Sequence, residues 1–157
     1  MQIRDFRPAD ATRLGEIFHL AVQATPDAEY SEAQRHVWSA APIPAERYLA
    51  RVAAGAHRVF VAVDAQDDPQ GFIELQPDGH IDCFYRDPSH RASGIGQQLY
   101  DHLEDQARST GLSRLYVEAS DAAQRFFLRQ GFTALGLRRF DRHGVEMHHM
   151  RMEKHLR

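Results

Sequence analysis

The chain reads as an α/β (α+β) fold, one mixed and mostly antiparallel central sheet flanked by helices, and three features of the sequence predict it. Helix-like segments fill the stretch from Ala11 to Ala54, before the strand-like segments begin in earnest. Three strand-like segments then follow one another between Arg58 and Arg86 with short turns between them. A long segment of four-residue apolar period comes next, and after it strands and one short helix alternate to the end.

Taken in order, QIRDFR (2–7) alternates apolar and polar residues and stops before Pro8, as a short strand would. Asp10 is placed to cap a helix over 11–23, in which Leu14, Ile17, Phe18 and Ala21 recur at three- and four-residue steps. Helices are expected over 32–39 and 45–54, the second closed by Gly55. RVFVAV (58–63), GFIEL (71–75) and HIDCFYR (80–86) are rich in β-branched and aromatic residues, and with turns at AQDDPQ and Asp78-Gly79 they form a meander. Ile95, Leu99, Leu103 and Ala107 mark the long helix, and Gly111 stands where it should end. SRLYVEAS is a strand, DAAQRFFLRQ a short helix stopped at Gly131, and the remainder a pair of strands turning at His143-Gly144. The order is β-α-α-α-β-β-β-α-β-α-β-β. No repeat or linker divides residues 1–157, so one domain is expected.

Composition narrows the function classes. The chain has 157 residues, 43% of them apolar and 26% charged, the balance of a globular protein. Its 19 basic and 22 acidic side chains leave a formal charge of -3, which offers nucleic acid no global attraction. Cys83 is the only cysteine, so neither an intrachain disulfide nor a cysteine-based zinc site can form, and with no apolar run for a signal peptide or a membrane span a cytoplasmic protein is expected. His148 and His149 are neighbours, so a strand points them to opposite faces and they cannot share one metal; no metal site is expected.

The stretch YRDPSHRASGIG (85–96) leaves a strand, turns at Asp87-Pro88 and sets glycines where the long helix starts. Two uses fit: relief of backbone crowding, or a nest of backbone N–H groups offered to a phosphate at the positive end of a helix dipole. The context favours the second. Arg91-Ala92-Ser93-Gly94-Ile95-Gly96 resembles the phosphate loop Arg/Gln-x-x-Gly-x-Gly/Ala of the GNAT N-acetyltransferases, and CFYRDP before it and YVEASDAAQRFFLRQGF after it extend the resemblance from about Gly71 to Phe132. Ahead of Arg58 only the order of elements resembles the family.

The resemblance implies acetyl-CoA as cofactor, direct attack of a primary amine on its acetyl group, and a small-molecule or peptide amine as partner; a homodimer is an assembly to test. The loop from Arg91 to Gly96 would hold the pyrophosphate, the backbone around Phe84, Tyr85 and Arg86 would pair with pantetheine at a β-bulge where two strands splay apart, and Ser120 and Phe127 would lie along the pantetheine arm. Arg86 stands where the family usually has an apolar residue. An amine must lose a proton before it attacks. The glutamate that serves some members falls at His80 by position, with Asp82 on the same strand face and Glu74 on the preceding strand as further candidates. Each has a plain structural alternative as a solvent-facing polar residue. The family's usual acid, a tyrosine, is replaced by Phe127, which leaves Tyr85, Tyr116, water or no acid at all for the departing thiolate. Tyr30, Gln34 and Trp38, at four-residue steps where the family builds its acceptor pocket, are expected on one helix face, as pocket wall or core. The expected activity is N-acetyl transfer; the alternative, which Phe127 favours, is a non-catalytic acyl-CoA-binding sensor or partner subunit.

Overall fold

The computed structural model of the chain describes residues 1–90 and 93–157; Arg91 and Ala92 of the expected phosphate loop lie outside the described residues. Its elements are β1 (Gln2–Asp5), α1 (Ala11–Gln23), α2 (Glu32–Trp38), α3 (Ala45–Ala54), β2 (Arg58–Val63), β3 (Pro69–Leu75), β4 (His80–Arg86), α4 (Ile95–Ser109), β5 (Arg114–Ala119), α5 (Asp121–Arg129), β6 (Thr133–Arg142) and β7 (Val145–His155). This is the order expected from the sequence. The strands form one sheet ordered β1-β2-β3-β4-β5-β7-β6, antiparallel throughout except where β4 and β5 run parallel.

Strand alternation sends apolar side chains to both faces. Phe60, Ala62, Ile73, Leu75 and Ile81 face α4, whose Ile95, Leu99, Leu103 and Ala107 are fully buried against them. Val59, Val61, Val63 and Phe72 point the other way and pack on Leu14 and Ile17 of α1 and Tyr48 of α3. With helices on both sides β3 is buried at every residue, which explains why its sequence does not alternate.

Three local expectations change. Asp10 closes a 3-10 turn ahead of α1; it does not cap that helix through its side chain, and its carboxylate accepts the Arg7 N–H (2.8 Å) and a two-point ion pair from Arg4. Tyr30 precedes α2, which Ser31 caps, so the expected helical stripe starts after it. Glu74 is not a solvent-facing residue, because its strand is covered on both faces and its side chain is fully buried.

The β3–β4 register shifts from Ile73↔Phe84 to Leu75↔Ile81, so Asp82 and Cys83 together oppose Glu74. This is a β-bulge, and it re-aims the strand beyond it. The parallel β4–β5 pairing is confined to His80↔Tyr116 and Ile81↔Val117. Beyond those pairs the two strands part.

Candidate active site

The parting of β4 and β5 opens the sheet from both sides. On one side lies a cleft of about 440 Å³ whose lining includes Phe84, Tyr85, Arg86, Gly96, Ser120 and Phe126. The N-terminus of α4 reaches it through Gly96. No side chain caps that helix end, and Gly94 takes a left-handed φ of 77° with nothing within 4 Å of where a Cβ would stand. An uncapped helix start leaves backbone N–H groups available to an anion and places the positive end of the dipole beside it. From Asp82 to Tyr85 no β5 residue pairs with β4, so that strand edge is open to a ligand with amide groups.

On the other side lies a smaller cavity of about 220 Å³. The two share Phe84, Tyr85, Ser120 and Ala123, so they meet at the splay. Tyr30, Trp38 and Phe140 form aromatic walls, while Asp82, Glu118, His80 and His149 supply the polar lining. Trp38 donates its Nε1–H to the Tyr85 hydroxyl (3.3 Å), and Phe18 packs edge-on against the Tyr85 ring at 4.8 Å. Burial pushes the Tyr85 phenol well above its usual value, so it stays protonated.

Asp82 and Glu118 are the first residues beyond the last parallel pair, Ile81↔Val117, and thus stand on either side of the opening. Their partners differ. Glu118 Oε2 accepts from His80 Nε2 (2.5 Å), and His80 Nδ1 lies 2.6 Å from Gln76 Oε1. Burial disfavours the charged imidazole, but the Glu118 hydrogen bond and the charges of Glu118, Asp82 and Asp78 outweigh it and raise the His80 pKa above the usual 6.5. Asp82 accepts from Arg51 Nη2 (2.7 Å) and faces His57 Nε2 at 2.7 Å. Arg51 extends that contact into the interior, where Glu74 Oε2 accepts from both its Nη1 (3.0 Å) and the Tyr48 hydroxyl (2.5 Å). The other oxygen, Glu74 Oε1, sits 2.8 Å from Arg51 Nη2 but lacks an aligned hydrogen bond. The Cys83 thiol, 3.1 Å from the same guanidinium, is pushed well above its usual pKa by burial and stays neutral.

His80, Asp82, Tyr85, Tyr30 and Trp38 therefore come together around the small cavity, and Phe84, Tyr85, Arg86, Gly96 and Ser120 around the large cleft. Others go elsewhere. Glu74 reaches the cavity only through Arg51 and Asp82. Gln34 spends its amide on the Ser31 cap and the Glu146 carbonyl (2.9 Å), and Tyr116, bonded to Asp78 and stacked on His80, lines neither space. Ser120 caps α5 by accepting the Ala123 N–H (3.3 Å). Phe127 is buried among Phe84, Tyr100, Phe126 and Phe132, with its edge on the small cavity. Ser93 bonds back to the His90 carbonyl (2.6 Å), and Ile95 is core. Sequence reasoning missed Glu118, Phe140 and His149. The signal for Glu118 was the alternation of RLYVEA, which puts Arg114, Tyr116 and Glu118 on one face.

A cleft beside an uncapped helix start, joined through a strand splay to a small cavity lined with carboxylates, can receive a phosphate-bearing thioester and a second reactant together. Residues 26–154 match the acetyltransferase (GNAT) domain profile. The chain is 34% identical over 146 residues, 92% of its length and 89% of the relative's, to the Escherichia coli K12 protein named uncharacterized N-acetyltransferase YafP. To the peptidyl-lysine N-acetyltransferase YjaB of Salmonella typhimurium it is 36% identical over 78 residues, about half of each chain. Among solved structures it superposes with a TM-score of 0.89 and 30% identity on a GCN5-related N-acetyltransferase from Rhodopseudomonas palustris, covering 99% of this chain and 95% of that one. The PaiA N-acetyltransferase of Thermoplasma acidophilum, solved with coenzyme A, shares the fold at a TM-score of 0.79 and 20% identity, over 99% and 98% of the two chains. The chain belongs to the GNAT acetyltransferase family, and it is an acetyl-CoA-dependent N-acetyltransferase rather than a non-catalytic binding module. Acetyl-CoA fits the donor set described here: uncapped amides at α4, an open β4 edge, and the cationic Arg86 and Arg129 on the cleft. It supplies an activated acetyl thioester. Among the described residues no helix is long and apolar enough to cross a membrane.

Proposed function

We propose that the acceptor is a primary amine on a slender, unbranched chain, with a lysyl side chain as the type. The observation that carries this is the small cavity of about 220 Å³, walled by Tyr30, Trp38 and Phe140, which ends at Asp82, Glu118 and the splay. Its volume is below the range of about 300–1,000 Å³ that houses drug-sized ligands. Aromatic faces favour the aliphatic stem and the cationic head, and the carboxylates favour the ammonium group.

The roles follow from the partners. The His80–Glu118 pair takes the proton from the ammonium group, because Gln76 can present its oxygen to charged His80 or, flipped, its amide to the neutral ring, so both protonation states keep a partner. Asp82, held by Arg51 and His57, orients the amine and supplies negative charge. Glu74 fixes Arg51. The neutral Tyr85 hydroxyl, at the junction of the two spaces, donates the proton that the departing thiolate needs. The N–H groups at the start of α4, with the loop 91–96, hold the pyrophosphate, and the β4 edge around Phe84 and Tyr85, with Arg86, Ser120 and the edge of Phe127, holds the pantetheine arm. The whole chain acts as one domain, and its neutral Cys83 thiol is compatible with a reducing cytoplasm.

Thiol release from acetyl-CoA tests the reading with three acceptors: a lysine peptide, Nα-acetyl-lysine amide and a bulky polycyclic amine. Turnover of the first two and not the third is expected. Preference for the bulky amine would refute the slender-chain acceptor.

A further inference from the structure

The β6–β7 hairpin forms one bank of the small cavity, and its charges are sorted by face. Phe140 lines the cavity, and alternation puts Arg138 and Arg142 on the same face of β6. Contacts agree: the Arg138 guanidinium lies 6.0 Å from the Phe140 ring centre, and that of Arg142 lies 4.9 Å over Trp38. On β7, His149 is the cross-strand partner of Arg138, and Arg151 two residues further on pairs with Gly136 and Glu118. Burial lowers the His149 pKa, and the positive charges of Arg138, His148 and Arg151 lower it further against the pull of Glu118. The guanidinium groups of Arg138 and Arg151 thus lie within electrostatic reach of His149, which lines the cavity.

All three arginines are exposed, and among the described residues none has a carboxylate within 4.0 Å. Most of the hairpin's acids are turned away or already used. Asp141 and Glu146 pair across the strands on the opposite face, where Glu146 bonds Arg139 (3.1 Å). Glu153 is held by Arg114 (2.6 Å), and Glu118 by His80. In a chain whose formal charge is -3, three unneutralised cations are thus gathered on one bank of the acceptor cavity. Arg138 and Arg142 are four residues apart, which spans about 13 Å along a strand, too far for one small anion and suited to several side chains of an extended peptide.

We propose that the Arg138, Arg142 and Arg151 face of the β6–β7 hairpin docks the acidic segment of a protein or peptide whose lysine enters the cavity. Acidic residues flanking the lysine would meet the guanidinium groups while Trp38 and Tyr30 take its side chain. This rests on the lysyl reading above and adds the sequence context of the lysine.

The test compares peptides with one central lysine flanked by glutamates, serines or arginines, with Nα-acetyl-lysine amide as the small acceptor that has no flanking side chains. At low ionic strength kcat/KM is expected to be about tenfold higher for the glutamate peptide than for the serine peptide, and lowest for the arginine peptide. The advantage should shrink toward unity near 1 M salt, where the screening length is about 3 Å. Arg138→Glu with Arg142→Glu should invert the order. Arg138→Ser, milder and exposed, should halve or further reduce kcat/KM for the glutamate peptide while leaving Nα-acetyl-lysine amide within about twofold, as expected for an exposed charge. Serine and glutamate peptides used equally well, with equal salt dependence, would overturn the docking surface and leave the lysyl reading intact. No turnover of any peptide, beside turnover of another small amine, would overturn both.

Discussion

His80 shows how neighbours choose the work a residue can do. Its imidazole bridges Glu118 and Gln76, and its pKa is raised, so the pair gains and loses a proton above the ordinary histidine value of 6.5. The acidic limb of the kcat/KM profile should accordingly lie above pH 6.5, and His80→Gln should abolish that limb and lower the neutral-pH rate by about a hundredfold. A variant whose profile superimposes on the parent's would remove His80 from the chemistry. Trp38 carries a separate expectation. Being half-buried, bonded to Tyr85 and set on the cavity wall, its loss should raise KM for the amine severalfold without changing acetyl-CoA affinity. Unaltered acceptor kinetics together with a melting temperature many degrees lower would assign it to the core.

At the scale of elements, the start of α4 and the bulge in β4 set charged or polar groups beside the cleft and the small cavity. Gly94 holds a left-handed φ that asparagine or aspartate also tolerates, and a side chain there meets no atom, so Gly94→Asp should fold. Its carboxylate would cap the N–H groups of α4 and repel phosphate, and calorimetry should record at least a tenfold weaker grip on acetyl-CoA. Unchanged affinity would place the pyrophosphate elsewhere. The bulge presses Asp82 toward Arg51, which also neutralises buried Glu74. Arg51→Met would leave that carboxylate buried without its cation. Because Arg51 is 32% exposed, the cost in urea melts should be about 3 kcal/mol, the lower end for a broken buried pair, and Arg51→Met with Glu74→Met should recover most of it. An Arg51→Met protein as stable as the parent would contradict this account of the network.

For the whole molecule, the pKa shifts set a window of stability. Asp10, Glu104 and Glu118 are lowered, and Asp87, paired with Arg13, falls to about 2. A depressed carboxylate contributes stability that is full above its unfolded value, 3.8 for Asp and 4.5 for Glu, and is lost as pH falls through the folded value. His80 works in the opposite sense: its contribution is full below 6.5 and disappears as pH rises through the raised folded value. The melting temperature should therefore be highest between about pH 5 and 6.5, fall steeply below pH 4, and decline slightly on the alkaline side. Asp67 is exposed and should matter little. A melting temperature constant down to pH 3 would mean that these ion pairs do not stabilise the fold.

The order of elements and the glycine-marked start of α4 were legible in the sequence, because periodicity and turn residues are local signals that survive without knowledge of contacts. So were His80, Asp82 and the Tyr30–Trp38 stretch as candidates, since position relative to the loop can be counted along the chain. Only the tertiary structure decided what each of them touches. The splay brings Glu118 to face Asp82 from another strand, and covering both faces of β3 converts Glu74 from a surface acid into a buried anchor for Arg51. Gln34 is drawn to the Glu146 carbonyl, while Arg142 lies over Trp38 only because β6 closes the sheet beside β7. Partners far apart in sequence meet through sheet order and register, and neither leaves a periodic trace in the chain.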